Sequence, residues 1–110
     1  IHTYYLTLDK IQISELVKTV KREKLMEMLM IVKFTKVNFD EWLAVFEADG
    51  KMRSKFMKDD IVGKIDDHTA MVKTTIFNQE GLASAMAIRM PELVEQMGLT
   101  NEMFVLKPAG

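Results

Sequence analysis

The chain has 110 residues, 48% of them hydrophobic and 28% charged, with a net charge of −1 and no cysteine. These figures suit one globular domain and exclude disulfides, cysteine nucleophiles and cysteine-held metals. They give no global attraction for nucleic acid, which rests on Lys and Arg neutralising phosphates, and the longest unbroken apolar run, Met28 to Val32, is far short of the ~20 residues that span a bilayer.

His2 to Leu8 reads as a short strand with Tyr4, Leu6 and Leu8 on one face. A helix is expected next, because Ser14 is a good N-cap and Ile13, Leu16, Val17 and Val20 follow helical spacing. Lys18, Lys21, Arg22 and Lys24 read as its solvated face.

The strand that follows, from Leu25 to about Lys36, is apolar on both faces. Met26, Met28, Met30, Val32 and Phe34 alternate onto one face, and Leu25, Leu29 and Ile31 onto the other. A strand of this kind expects cover on both sides.

Asn38 with Glu41 three places later forms a capping-box pattern, and Phe39, Trp42, Leu43 and Phe46 make a helical apolar stripe. Met52, Phe56 and Met57 are placed to extend it past Gly50, where a kink or a close approach is expected. Asp59-Asp60 reads as punctuation, Ile61 to Ile65 as a strand, Asp66-Asp67-His68 as a turn, and Thr69 to Phe77 as the return strand of an antiparallel hairpin.

Asn78 caps the next helix, which Pro91 interrupts or kinks and Gly98 ends in a left-handed conformation. Glu102 to Lys107 reads as the last strand.

Residues 1–110 thus read as a single α+β domain: an extension over 1–24 and a core over 25–107 in the order βαββαβ. That order suits a ferredoxin-like antiparallel sheet with both helices on one face. The other face keeps apolar groups on several strands. At about 25 cal/mol per Å², leaving several hundred Å² of it wet forgoes several kcal/mol, so a homodimer pairing two sheets is expected.

Four segments carry a family resemblance: Phe34-x-x-Val37-x-Phe39-Asp40-x-Trp42-x-x-x-Phe46-x-Ala48-Asp49, Val62-Gly63-x-x-Asp66-Asp67, Met90-Pro91-Glu92-Leu93 and Met103-Phe104-Val105-Leu106. On these, residues 29–107, about 70% of the chain, resemble the dimeric α+β barrel proteins, including those related to antibiotic-biosynthesis monooxygenase and stress-responsive barrel domains. The resemblance implies sheets paired across a two-fold axis, and small apolar or aromatic molecules bound between sheet and helices. It brings no catalytic set. Relatives that form quinones or degrade haem use an Asn, a Trp and a His, and Trp42, Asn38 and His68 do not match residue by residue.

The expected ligand site comprises Met30, Phe34, Trp42, Phe46 and Met86, with Arg53 at its mouth. Trp42 fits a core anchor as well as a pocket wall. Arg53 fits either a carboxylate clamp or an ion pair with Asp49 at i, i+4. Ten methionines suit core filling and also an adaptable apolar pocket. His68 beside Asp66 and Asp67 reads as a solvated turn residue. The pairs Asp59-Asp60 and Asp66-Asp67 stand roughly 20 Å apart along a strand, so no metal site is expected. No cofactor, no nucleic-acid partner and no membrane are expected, and a cytoplasmic location suits the absent cysteines and signal peptide. The function expected is binding of an acyl-chain or aromatic metabolite by a homodimer. A cofactor-independent monooxygenase or isomerase and a ligand-free structural or regulatory dimer are the alternatives, and no reaction is assigned.

Overall fold

The computed structural model describes residues 4–10 and 25–108. The helix expected from Ser14, and His2, lie outside these residues. The described part is a mixed α+β fold with one antiparallel sheet of five strands. The strands are β1 (Tyr4–Lys10), β2 (Met26–Phe34), β3 (Met57–Asp66), β4 (Thr69–Ile76) and β5 (Leu99–Pro108). Their order across the sheet is β1-β5-β2-β4-β3. Three helices are described: α1 (Phe39–Ala48), the short α2 (Gly50–Arg53) and α3 (Gln79–Met97). From β2 onward the arrangement is compatible with a ferredoxin-like fold. The segment at 4–10 widens the sheet by pairing with β5, Leu6 opposite Leu106.

Period-two alternation sorts β2 as its sequence predicts. Met26, Met28, Val32 and Phe34 are buried, whereas Leu29 and Ile31 are half-buried and Lys33 is exposed. Register carries the buried face across the sheet, since Val32 stands opposite Ala70 on one side and Asn101 on the other. The helices cover this face in two clusters. One gathers Val32, Phe34, Trp42, Ala70, Val72, Met97 and Leu99; the other gathers Met26, Met28, Met57, Ile76 and Leu82. Met30 packs against both. The opposite face carries Leu29, Ile31, Met71 and Phe104, because Ile31 pairs with Met71 and Leu29 with Phe104.

The helix ends follow local chemistry. Asn38 Oδ1 accepts from the Glu41 amide at 2.9 Å, and Glu41 Oε1 accepts from the Asn38 amide at 3.0 Å. This reciprocal pair satisfies two otherwise orphaned donors and is worth about 1 kcal/mol. At the far end of α3, Gly98 adopts φ 63° and its amide bonds the Val94 carbonyl at 2.9 Å. A Cβ there would strike the Thr35 hydroxyl, so the position requires glycine on two counts.

Three expectations are corrected. The helix from Phe39 does not run on to Met57; it breaks at Asp49, α2 is a single turn, and Met57 opens β3. Asp59-Asp60 is not a boundary. The two residues lie inside β3 as a bulge, with Lys58 opposite Thr75 and Ile61 opposite Lys73, so that two residues oppose Thr74 alone. Asp59 takes φ 57°, a conformation Asp tolerates better than most side chains. Pro91 does not divide the last helix: α3 continues through it, and the lost amide leaves the Ala87 carbonyl without its helical donor.

Candidate functional site

A cavity of about 100 Å³ lies between the sheet and the helices. Its walls come from both core clusters, so it sits at the seam where they meet. Eight of the ten methionines line it, all but Met26 and Met71. Unbranched thioethers repack readily around a guest, so this wall is deformable where a Val or Ile wall is stiff.

Five of the six residues expected to form the site line this cavity: Met30, Trp42, Phe46, Arg53 and Met86. Phe34 stands behind the wall, fully buried, with its ring stacked on Trp42 at 5.4 Å and 6°. Trp42 in turn stacks on Phe46 at 5.1 Å. The Arg53 guanidinium caps the column 3.5 Å from the centre of the Phe46 ring, a cation–π contact. Spacing along α1 explains the column: Trp42 and Phe46 are one turn apart, and Phe39 leans on Trp42 from the preceding turn at 5.7 Å. Trp42 is therefore core anchor and cavity wall together.

Arg53 is not paired with Asp49. Its Nε meets Asp60 Oδ2 at 3.3 Å, and its Nη1 donates to the Phe46 carbonyl. Asp49 is taken by Arg89 of α3 at 3.2 Å. The i, i+4 spacing itself persists, since the Arg53 amide donates to the Asp49 carbonyl at 2.9 Å, but each side chain is engaged elsewhere, Arg53 by the Phe46 ring and by Asp60, and Asp49 by Arg89. Asp60 reaches Arg53 because the bulge turns it inward, where Oδ1 also accepts from the buried Thr74 hydroxyl at 2.6 Å.

His68 is exposed but tethered. Its Nδ1 lies 2.9 Å from the Val37 carbonyl and 3.1 Å from the Phe34 carbonyl. Carbonyls only accept, so Nδ1 is the donor in both contacts. Its amide donates to Asp66 Oδ1 at 2.8 Å; with the Thr69 hydroxyl, that bond lowers the Asp66 carboxyl below its ordinary pKa of 3.8. His68 does not line the cavity, so it is a link between the β3–β4 turn and the β2–α1 connection. Among the described residues no three His, Cys, Asp or Glu side chains gather as a metal site. None of the described helices is long and apolar enough to cross a membrane.

Asn101 is the uncharged polar residue of the cavity wall that sequence reasoning missed. It lines the cavity, its Nδ2 is 3.9 Å from Met30 Sδ, and its buried Oδ1 has no hydrogen-bond partner among the described residues. The signal was present: Leu99, Asn101, Met103 and Val105 alternate, so Asn101 is the one polar member of an apolar face. Starting the last strand at Glu102 hid it.

Comparisons with family models, curated proteins and solved structures gave no match. The resemblance to dimeric α+β barrels thus has the α+β antiparallel-sheet architecture behind it and no homologue.

Proposed function

We propose that this chain forms a homodimer of ferredoxin-like subunits that binds a small apolar or amphipathic molecule between sheet and helices. The observation that carries the reading is the cavity at the seam of the two core clusters, walled by eight methionines. A domain of this size ordinarily closes its core, since empty volume forfeits contacts on every wall. A deformable wall and one aromatic side favour a ring or short chain as the guest.

The open sheet face supports the homodimer. Ile61 is 62% exposed, and the half-buried Leu29, Ile31 and Phe104 lie on the face of β2 and β5 away from the helices. Glu27 accepts there from Lys73 at 3.2 Å and from the Thr75 hydroxyl at 2.7 Å, so opposite charges are already matched beside the apolar groups. An apolar, charge-balanced surface suits a second copy of itself, the isologous contact of a two-fold dimer.

Native mass spectrometry followed by denaturing extraction tests both parts. A dimer releasing a small apolar compound is the expected result. A ligand-free dimer that also takes up no apolar probe supports a purely structural role and overturns the binding reading.

A further inference from the structure

We infer that the cavity selects an uncharged apolar molecule carrying a hydroxyl group, and that Asn101 is the residue that reads it. This deepens the ligand-binding proposal above and rests on it. Two observations lead here. The first is the orphaned Asn101 Oδ1, a buried acceptor with no partner among the described residues. Leaving such a group unpaired typically costs ~1–3 kcal/mol, and proteins seldom keep one in an apolar wall where Leu would pack. A guest that hydrogen-bonds to it removes that cost. A hydroxyl suits the position best, because it both donates and accepts and so pairs with either orientation of the amide.

The second observation is the charge balance of the lining. Asp49 and Arg53 are the charged side chains at the cavity wall. Asp49 is held by Arg89 and Arg53 by Asp60. Arg53 is further engaged by the Phe46 ring and carbonyl. The Arg53 charge is balanced by Asp60, so a carboxylate guest would lose its own hydration on entry for a cation that is already paired. The wall therefore favours a neutral guest, and the carboxylate clamp expected of Arg53 gives way to a structural role. Size narrows the class further. An apolar protein cavity of roughly 150 Å³ accepts benzene. About 100 Å³ with methionine walls therefore suits one ring or a short chain once the thioethers give way.

Three probes of similar shape separate these ideas: p-cresol, p-xylene and p-toluate, which place a hydroxyl, a methyl and a carboxylate on the same ring. Binding is read on the full chain by methyl NMR of ¹³C-labelled methionines, with Met86 and Met103 as cavity reporters and Met71 as a reporter of the open face. The expected result is p-cresol about tenfold tighter than p-xylene, as one hydrogen bond of ordinary strength gives, with p-toluate weakest. Asn101→Leu should still bind p-xylene and lose the preference for p-cresol. Equal affinity for p-cresol and p-xylene in the unmodified protein, or tightest binding of p-toluate, overturns the role of Asn101 and leaves the cavity proposal standing. Shifts confined to Met71, or no binding of any probe, overturn both. The comparison of probes needs no variant, so a misfolded Asn101→Leu does not leave the question open.

Discussion

Thr74 and Asp60 are joined across the β3–β4 pair by a 2.6 Å hydrogen bond, hydroxyl to carboxylate, at the point where β3 bulges. Thr74 is fully buried, and the Asp60 side chain is 23% exposed and also pairs with Arg53. One carboxylate thus satisfies a buried hydroxyl and positions the cation that caps the aromatic column. Asp60→Ala should cost ~0.5–1.5 kcal/mol, the loss of an ordinary hydrogen bond, because the Thr74 hydroxyl can still donate to the Lys58 carbonyl at 3.1 Å and Arg53 keeps the Phe46 carbonyl. Urea denaturation measures this, and a double-mutant cycle with Thr74→Val should give a coupling of ~0.5–3 kcal/mol. A coupling near zero would show that the hydrogen bond does not stabilise the fold.

Gly81 lies in the first turn of α3, where the Asn78 side chain accepts from its amide at 3.0 Å. A Cβ at this position would stand 2.8 Å from the Phe56 ring and 2.7 Å from Asn78 Nδ2. Helix propensity favours Ala over Gly by up to ~1 kcal/mol, but overpacking at such distances costs ~1–3 kcal/mol. Gly81→Ala is therefore expected to lower the thermal midpoint, and Phe56→Leu in the same chain to recover part of the loss. A Gly81→Ala protein that melts higher would refute the close approach.

Ile31 stands at the centre of the open face, between Met71 on β4 and Glu102 on β5. Its substitution by Lys should leave the helix-covered core intact and place a charge in the proposed contact between sheets. Sedimentation velocity at micromolar concentration should then show a monomer, against the dimer proposed for the unmodified chain. The two-sheet contact is falsified if the Ile31→Lys chain remains dimeric with unchanged stability.

Asp66 accepts from the His68 amide and the Thr69 hydroxyl, and both bonds favour its ionised form. Its folded pKa lies below its unfolded value. The stability it contributes is therefore present above the unfolded value and lost as pH falls through the folded one. Carboxyl NMR titration should place the Asp66 midpoint below 3.8. Asp66→Ala should remove part of the loss of stability expected below about pH 4. At the other extreme the Lys64 ammonium, raised by Asp67, contributes below its unfolded pKa and loses that contribution as pH rises past 10.5.

The features legible in the sequence were those decided by neighbours along the chain. Asn38 and Glu41 declare their cap within four residues, Gly98 its left-handed turn, and β2 its two faces through alternation alone. What escaped was decided across the sheet. The bulge at Asp59-Asp60 looks like an interruption until Thr74 is seen to hold it. Arg53 finds Asp60 and not Asp49, although the two remain one helical turn apart, because partners distant along the chain, Asp60 and Arg89, claim the two side chains. The ligand residues expected on α1 and β2 converged because their spacing is helical or alternate; Asn101 did not announce itself, since its meaning depends on Met30 and Val32 standing beside it.

The bulge has a consequence for assembly. β3 is one of the two outer strands of the sheet, with β1 at the opposite edge, and an outer strand offers its unpaired amides and carbonyls to any passing extended chain. Here that rim is bent by a left-handed Asp59 and carries Lys58 and Lys64 in a ten-residue strand that also presents Ile61 and Ile65. A straight neighbouring strand cannot follow such a rim for more than a few residues. The aliphatic side chains on this strand are therefore poorly placed to template an added strand. Strand-by-strand growth is disfavoured at this edge, which leaves the flat apolar face of the sheet for the proposed two-fold contact.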